Sequence, residues 1–160
     1  MTDSRSSADQ DFTFTDDMLM ASGVIDADIS QVWSIISDFG GLQHWYPQLE
    51  RCECTGEGVG AVRTVHKGEF VHSERLEVLD PETHTLTYSV LASTRASNLG
   101  VSSQMRLHPH GPSQTLVEWR SRHQDPTEAA ALRERLEPFY GSRIGELRTA
   151  AVSDAARRNR

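Results

Sequence analysis

The chain has 160 residues and carries 23 acidic against 16 basic side chains, a formal net charge of -7; that balance argues against nucleic acid, whose binding is largely counterion release onto Lys and Arg clusters. Its length suits one domain whose core needs neither disulfides nor a structural metal, and Cys52 and Cys54, two apart on a strand, make a poor disulfide because they point the same way. Reduced thiols, and an N-terminal stretch with no basic start and no apolar run, predict a cytoplasmic protein without a signal peptide or stable membrane insertion.

Residues 1–16 are rich in Ser, Asp and Thr and predict a disordered tail, so the single domain is expected over 17–152, with a charged C-terminal tail at 153–160. From Met18 to Ile25 an apolar run reads as a first strand. A helix follows, capped by Asp28 or Ser30, with Ile29, Val32, Trp33, Ile36 and Phe39 on one face and Gly40 and Gly41 as its end. The stretch before Pro47 reads as a second, shorter helix anchored by Trp45 and Tyr46. From Leu49 to about His123, short apolar runs alternate with turn-forming clusters, which predicts an antiparallel meander of about six strands. The last element opens at Asp125 and Pro126, and Ala129, Leu132, Leu136, Tyr140, Ile144, Leu147 and Ala151 form a stripe at steps of three and four. One long amphipathic helix, bent at Pro138, therefore closes an α+β fold in which a helix lies along one face of a curved sheet of about seven strands. A helix cannot fill such a concavity, and a cavity is expected between the two.

The stretches "VWSIISDFGGLQHWYP", "GEGVGAVR", "ERLEVLDPETHTLTYSV" and "LVEWRSRH", in that order, resemble the polyketide cyclase/dehydrase and lipid-transport group of the START-related helix-grip (SRPBCC) superfamily. The resemblance covers roughly residues 18–150 and implies the helix-grip fold; for function it leaves cyclases, other enzymes, receptors and lipid carriers open. Within the group the motif order is most similar to lachrymatory-factor-synthase-like proteins. There an arginine after the glycine loop and a glutamate on the next strand are the implicated catalytic pair, which corresponds here to Arg63 and Glu74, with Tyr88 and Trp119 at pocket positions. Two departures, a shorter loop between those strands and Val101 in place of a tyrosine on the sixth strand, imply a changed substrate.

The same pair follows from local geometry. "HKGEFV" reads as a two-residue hairpin loop with Gly68 first, as a type II′ turn requires. Pairing Lys67 with Phe70 then sets Arg63 directly opposite Glu74, on a face shared with Ala61, Val65, His72, Leu76 and Val78. The pair is either a cross-strand surface bridge worth about 0–1 kcal/mol or a ligand-facing pair in a dry pocket. Tyr88 reads equally as core or as ligand contact, whereas Trp119 reads as a cavity wall or as structural core, the more frequent role for such a tryptophan. Further substrate contacts are expected from Trp33 on the first helix, from Val101 and Met105 on the sixth strand, and from Leu136 and Tyr140 on the last helix. The helix and the loops around Gly58 and Ala96 are expected to gate access.

The seven histidines show no helical pair beside a carboxylate, so no metal site is expected. "GEGVG" lies between strands rather than opening a helix and is no phosphate loop. No nucleophile elbow is present. Two functions compete. One is a cofactor-independent cyclase, dehydratase or isomerase acting on a small hydrophobic carbonyl compound, with Arg63 polarising an oxygen and Glu74 moving a proton. The other is a non-catalytic carrier of a lipid or similar small molecule. Either would work as a monomer or homodimer.

Overall fold

A computed structural model describes residues 12–158. Seven antiparallel strands form one sheet in the order β1-β7-β6-β5-β4-β3-β2. Their ranges are β1 Leu19–Ile25, β2 Arg51–Thr55, β3 Val62–Lys67, β4 Phe70–Asp80, β5 Thr85–Ser93, β6 Val101–His110 and β7 Gln114–His123. Helix α1 (Ile29–Ile36) and a 3-10 helix (Phe39–His44) link β1 to β2, and helix α2 (Ala129–Arg158) closes the chain. This is the expected α+β helix-grip architecture, six meander strands plus the first. No described helix is long and apolar enough to cross a membrane.

The expected stripe on α2 faces the sheet: Leu132, Leu136, Tyr140, Ile144, Leu147 and Ala151 are all buried, whereas Ala129 at the start is exposed. Asp125 caps the entry by accepting from the Thr127 backbone N–H at 3.1 Å. The helix runs on through residues 153–158, the part of the expected charged tail that lies within the described residues. Of the expected N-terminal tail, 1–11 lies outside the described residues, and Asp16 opens a 3-10 turn and pairs with Arg120 at 2.9 Å.

The helix expected up to Phe39 stops sooner, at Ile36, and the glycines fall inside the following 3-10 helix. Gly40 is needed there because a Cβ would come within 2.8 Å of the Cys54 Cβ. Helix α1 buries Gln31, Val32, Ile35 and Ile36. Trp33 is therefore turned to the flank of that face, edge-on to His84 at 5.6 Å.

Between β3 and β4 the register is the expected one, from Lys67 opposite Phe70 to Arg63 opposite Glu74. Gly68 has φ +60 while Glu69 is not among the positive-φ residues, the pattern of a type II′ rather than a type I′ turn. Between β4 and β5 the register shifts twice, leaving Leu91 and Glu77 as extra residues. The shift at Glu77 inverts the alternation beyond it, so Leu79, not the expected Val78, packs against the core.

Candidate active site: a cavity with one charged wall

Between the concave sheet and α2 lies a cavity of about 430 Å³, within the range typical of small-molecule sites. Strand β3 contributes Arg63 and Val65, β4 His72 and Glu74, β5 Tyr88, β6 Val101, β7 Trp119, and α2 Leu136 and Tyr140. All nine are expected positions. Three others are not there. Trp33 lies on the flank of α1; Met105 is sealed between Leu86 and Trp119, its register partners on β5 and β7. Leu76 lines a second hollow, with Phe39, Gly58 and Ala61. Phe39 and Arg63 separate the hollows, the guanidinium stacking 4.0 Å over the Phe39 ring and donating to the Phe39 carbonyl at 3.1 Å. The glycine loop accordingly borders the second hollow rather than the mouth of the first, where it was expected.

The charged wall is built outward from Arg63. Its Nε–H donates to Glu74 Oε1 at 2.8 Å, and Nη2 lies at ion-pair distance, 2.8 Å, from the same oxygen. Glu74 Oε2 faces His72 Nε2 at 3.0 Å, and His72 Nδ1 faces the Ser93 hydroxyl at 3.0 Å. The Ser93 oxygen already accepts from the Arg95 backbone N–H and from the Asn98 amide. Its own proton is then left for His72 Nδ1, so His72 carries its proton on Nε2 and gives it to Glu74. Burial pushes the Glu74 carboxyl up, but the Arg63 charge and the hydrogen bonds from His72 and Arg63 outweigh it and hold the group at about 2. Arg63 and Glu74 are only 8% and 12% exposed at their side chains, which rules out the surface-bridge reading.

A second, neutral polar group lies deeper. Trp119 Nε1–H donates to the Tyr88 hydroxyl at 3.0 Å, and the Trp119 ring stacks on Tyr140 at 3.9 Å. Tyr140 reaches Ser103 at 3.1 Å, and Ser103 reaches Ser121 at 2.6 Å. Burial raises both phenols, Tyr88 well above its ordinary value, with the neighbouring Tyr140 and Glu74 adding to the rise. Both stay protonated at neutral pH. The hydroxyls of Tyr88 and Tyr140 are 3.5 Å apart, a weak contact, so the Tyr88 proton is available to a ligand oxygen.

Sequence reasoning missed Ser103, which strand parity with Val101 and Met105 could have found. It also missed Phe70, which shares strand parity with His72 and Glu74 and could have been found from the hairpin register, Arg95 and Asn98, which a loop delivers, and Arg135, Phe139 and Arg143, which flank the apolar stripe of α2.

The family model for polyketide cyclase / dehydrase and lipid transport matches residues 19–152. Among solved structures, the chain is similar to an uncharacterised protein from Bacillus thuringiensis at 25% identity and a TM-score of 0.65, covering 82% of this chain and 96% of that one. A protein from Thermobifida fusca gives 21% identity and a TM-score of 0.69, over 82% and 90% of the two chains. Norcoclaurine synthase from Thalictrum flavum, in complex with dopamine and hydroxybenzaldehyde, gives 16% and 0.66, over 90% and 97%. At identities this low the last two likenesses concern the fold alone.

Proposed function

Because the chain belongs to the polyketide cyclase/dehydrase and lipid transport family, we propose that its cavity takes a small hydrophobic molecule with a carbonyl oxygen and turns it over, without a cofactor, by cyclisation, dehydration or isomerisation. The observation that carries this reading is the meeting of a buried cation and a neutral phenol on one wall: the Arg63 guanidinium lies 5.0 Å from the centre of the Tyr88 ring. A carbonyl oxygen that accepts from both the guanidinium and the Tyr88 hydroxyl gains negative charge as it reacts, and preorganised donors in a dry site stabilise that charge far better than water does. Tyr88 supplies the proton. Arg63 keeps N–H groups beyond those used by Glu74 and Phe39, since a guanidinium has five.

Glu74 acts chiefly by fixing Arg63. A carboxyl held at about 2 is a weak base, so it removes a proton only from carbon that is already acidic, such as a carbon flanked by two carbonyls in a polyketide-type chain. The same saturation of Glu74 favours a second reading, a carrier whose charged wall merely closes on itself.

Native mass spectrometry of the protein purified from its own host identifies the bound molecule, and chromatography with mass detection follows its fate. Conversion is expected, with Tyr88→Phe slowing it about 10² to 10³-fold at unchanged occupancy. Glu74→Gln should lower turnover about 10² to 10⁴-fold, and Arg63→Met both turnover and affinity. Return of the molecule unchanged from the parent protein would establish the carrier instead.

A further inference from the structure

The protein is acidic, with a net charge of -7, yet its cavity is lined by five cationic side chains and one carboxylate. Glu74 is consumed by Arg63 and His72, and Arg143 pairs with Glu146. That leaves Lys67, Arg95 and Arg135 on the cavity with no carboxylate in ion-pair range among the described residues.

These three come from different elements and converge. Lys67 ends β3 at the hairpin turn, opposite Phe70. Arg95 lies over the Phe70 ring at 5.8 Å, from the loop that follows β5. Arg135, on α2, is tied to that loop by hydrogen bonds to Asn98 Oδ1 at 2.8 Å and to the Ser97 carbonyl at 3.0 Å. Lys67 and Arg95 are exposed and Arg135 is half-buried, in contrast to Tyr88, Ser103 and Trp119 at the sealed end. The cations therefore rim the mouth. Mutual repulsion is tolerated there: burial, and then the Arg95 charge, lower the pKa of Arg135. Like charges gathered around an apolar opening are costly unless an anion joins them.

We propose that the mouth is a carboxylate-recognition rim, and that the ligand is an aromatic or similarly apolar acid bound with its carboxylate outward on Arg135, Arg95 and Lys67. This rests on the small-molecule reading of the cavity and names the ligand class. The planar guanidinium of Arg135 is already oriented by Asn98 and Ser97, so its remaining N–H groups meet a carboxylate with little ordering left to do. The apolar body then lies among Phe70, Trp119, Phe139 and Tyr140, and its inner end reaches Tyr88.

Calorimetric titration of the full chain with 1-naphthaleneacetate and with its neutral counterpart 1-naphthaleneethanol tests this. The acid should bind at least about tenfold tighter, the scale of one charge-assisted hydrogen bond, and the advantage should shrink in high salt. Arg135→Gln should remove most of the advantage while leaving the alcohol's affinity alone. Arg95→Gln, at an exposed position that puts folding at less risk, should remove part of it. Equal binding of acid and alcohol, or variants that weaken both alike, would overturn the rim while leaving the small-molecule reading intact. Binding of neither would bring down that reading, and the rim with it.

Discussion

A carboxylate walled into an apolar cavity ordinarily holds its proton more tightly; Glu74 does the reverse, because Arg63 and His72 occupy its two oxygens. With a folded-state value near 2 against an ordinary value of 4.5, the native state binds fewer protons than the unfolded chain through this interval. The stabilisation, on the order of 3 kcal/mol, is therefore fully present above the unfolded value and is lost as pH falls through the folded one. Chemical denaturation from pH 6 down to pH 2 should show the gap between the parent protein and Glu74→Gln closing across that window. Above it the variant should be the less stable protein, since Arg63 is left buried without its counter-charge. A gap that stays constant down to pH 2.5 would mean that Arg63 and His72 do not hold the carboxylate.

The hairpin joining β3 to β4 sets which residues face the cavity, so its turn is where a local change has the longest reach. Gly68 sits at φ +60 with no atom within 4 Å of where a Cβ would stand. Substitution there meets backbone strain and no clash. Gly68→Ala should cost about 1–2 kcal/mol in equilibrium unfolding without altering the cavity, whereas Gly68→Asn, more tolerant of that conformation, should cost less. A Gly68→Ala variant as stable as the parent would show that the turn gives way instead of the chain. This turn also explains how much of the site was legible. A two-residue loop fixes register by itself, so Arg63, Glu74, Val65 and His72 could be placed together from sequence. Parity holds until a bulge breaks it. The extra residue Glu77 turned Leu79 inward in place of Val78, and no local signal in that run announces it. On α2 the stripe was readable from spacing, but Arg135 and Phe139, one step off it, meet the cavity only because the sheet curves toward them, and curvature is a property of seven paired strands rather than of any one. Trp33 failed for a related reason: α1 is short enough that a single step of phase carries a ring from the core face to the flank.

At the scale of the molecule, the main cavity lies between the sheet and α2, while the second hollow is bordered by the 3-10 segment around Phe39, the glycine loop and Leu76, and this separation determines what a ligand can protect. The main cavity borrows its mouth from the β3–β4 turn and from the loop carrying Arg95 and Asn98, while Gly56 and Gly58 border the other hollow. A ligand in the main cavity stabilises the elements it touches by linkage, about 2.7 kcal/mol at a hundredfold excess over Kd. Local opening of touched segments is suppressed by up to that amount, and segments that open without disturbing the ligand gain nothing. Amide exchange measured with and without 1-naphthaleneacetate should therefore slow at residues 67–72 and 94–100 and along α2 near Leu136 and Tyr140. Residues 56–60 should exchange at the same rate in both states. Protection concentrated at 56–60 instead would mean that the ligand enters past the glycine loop and that Arg63 is approached from the Phe39 side, which would exchange the roles of the two hollows and leave Arg135 and Arg95 without a part in recognition.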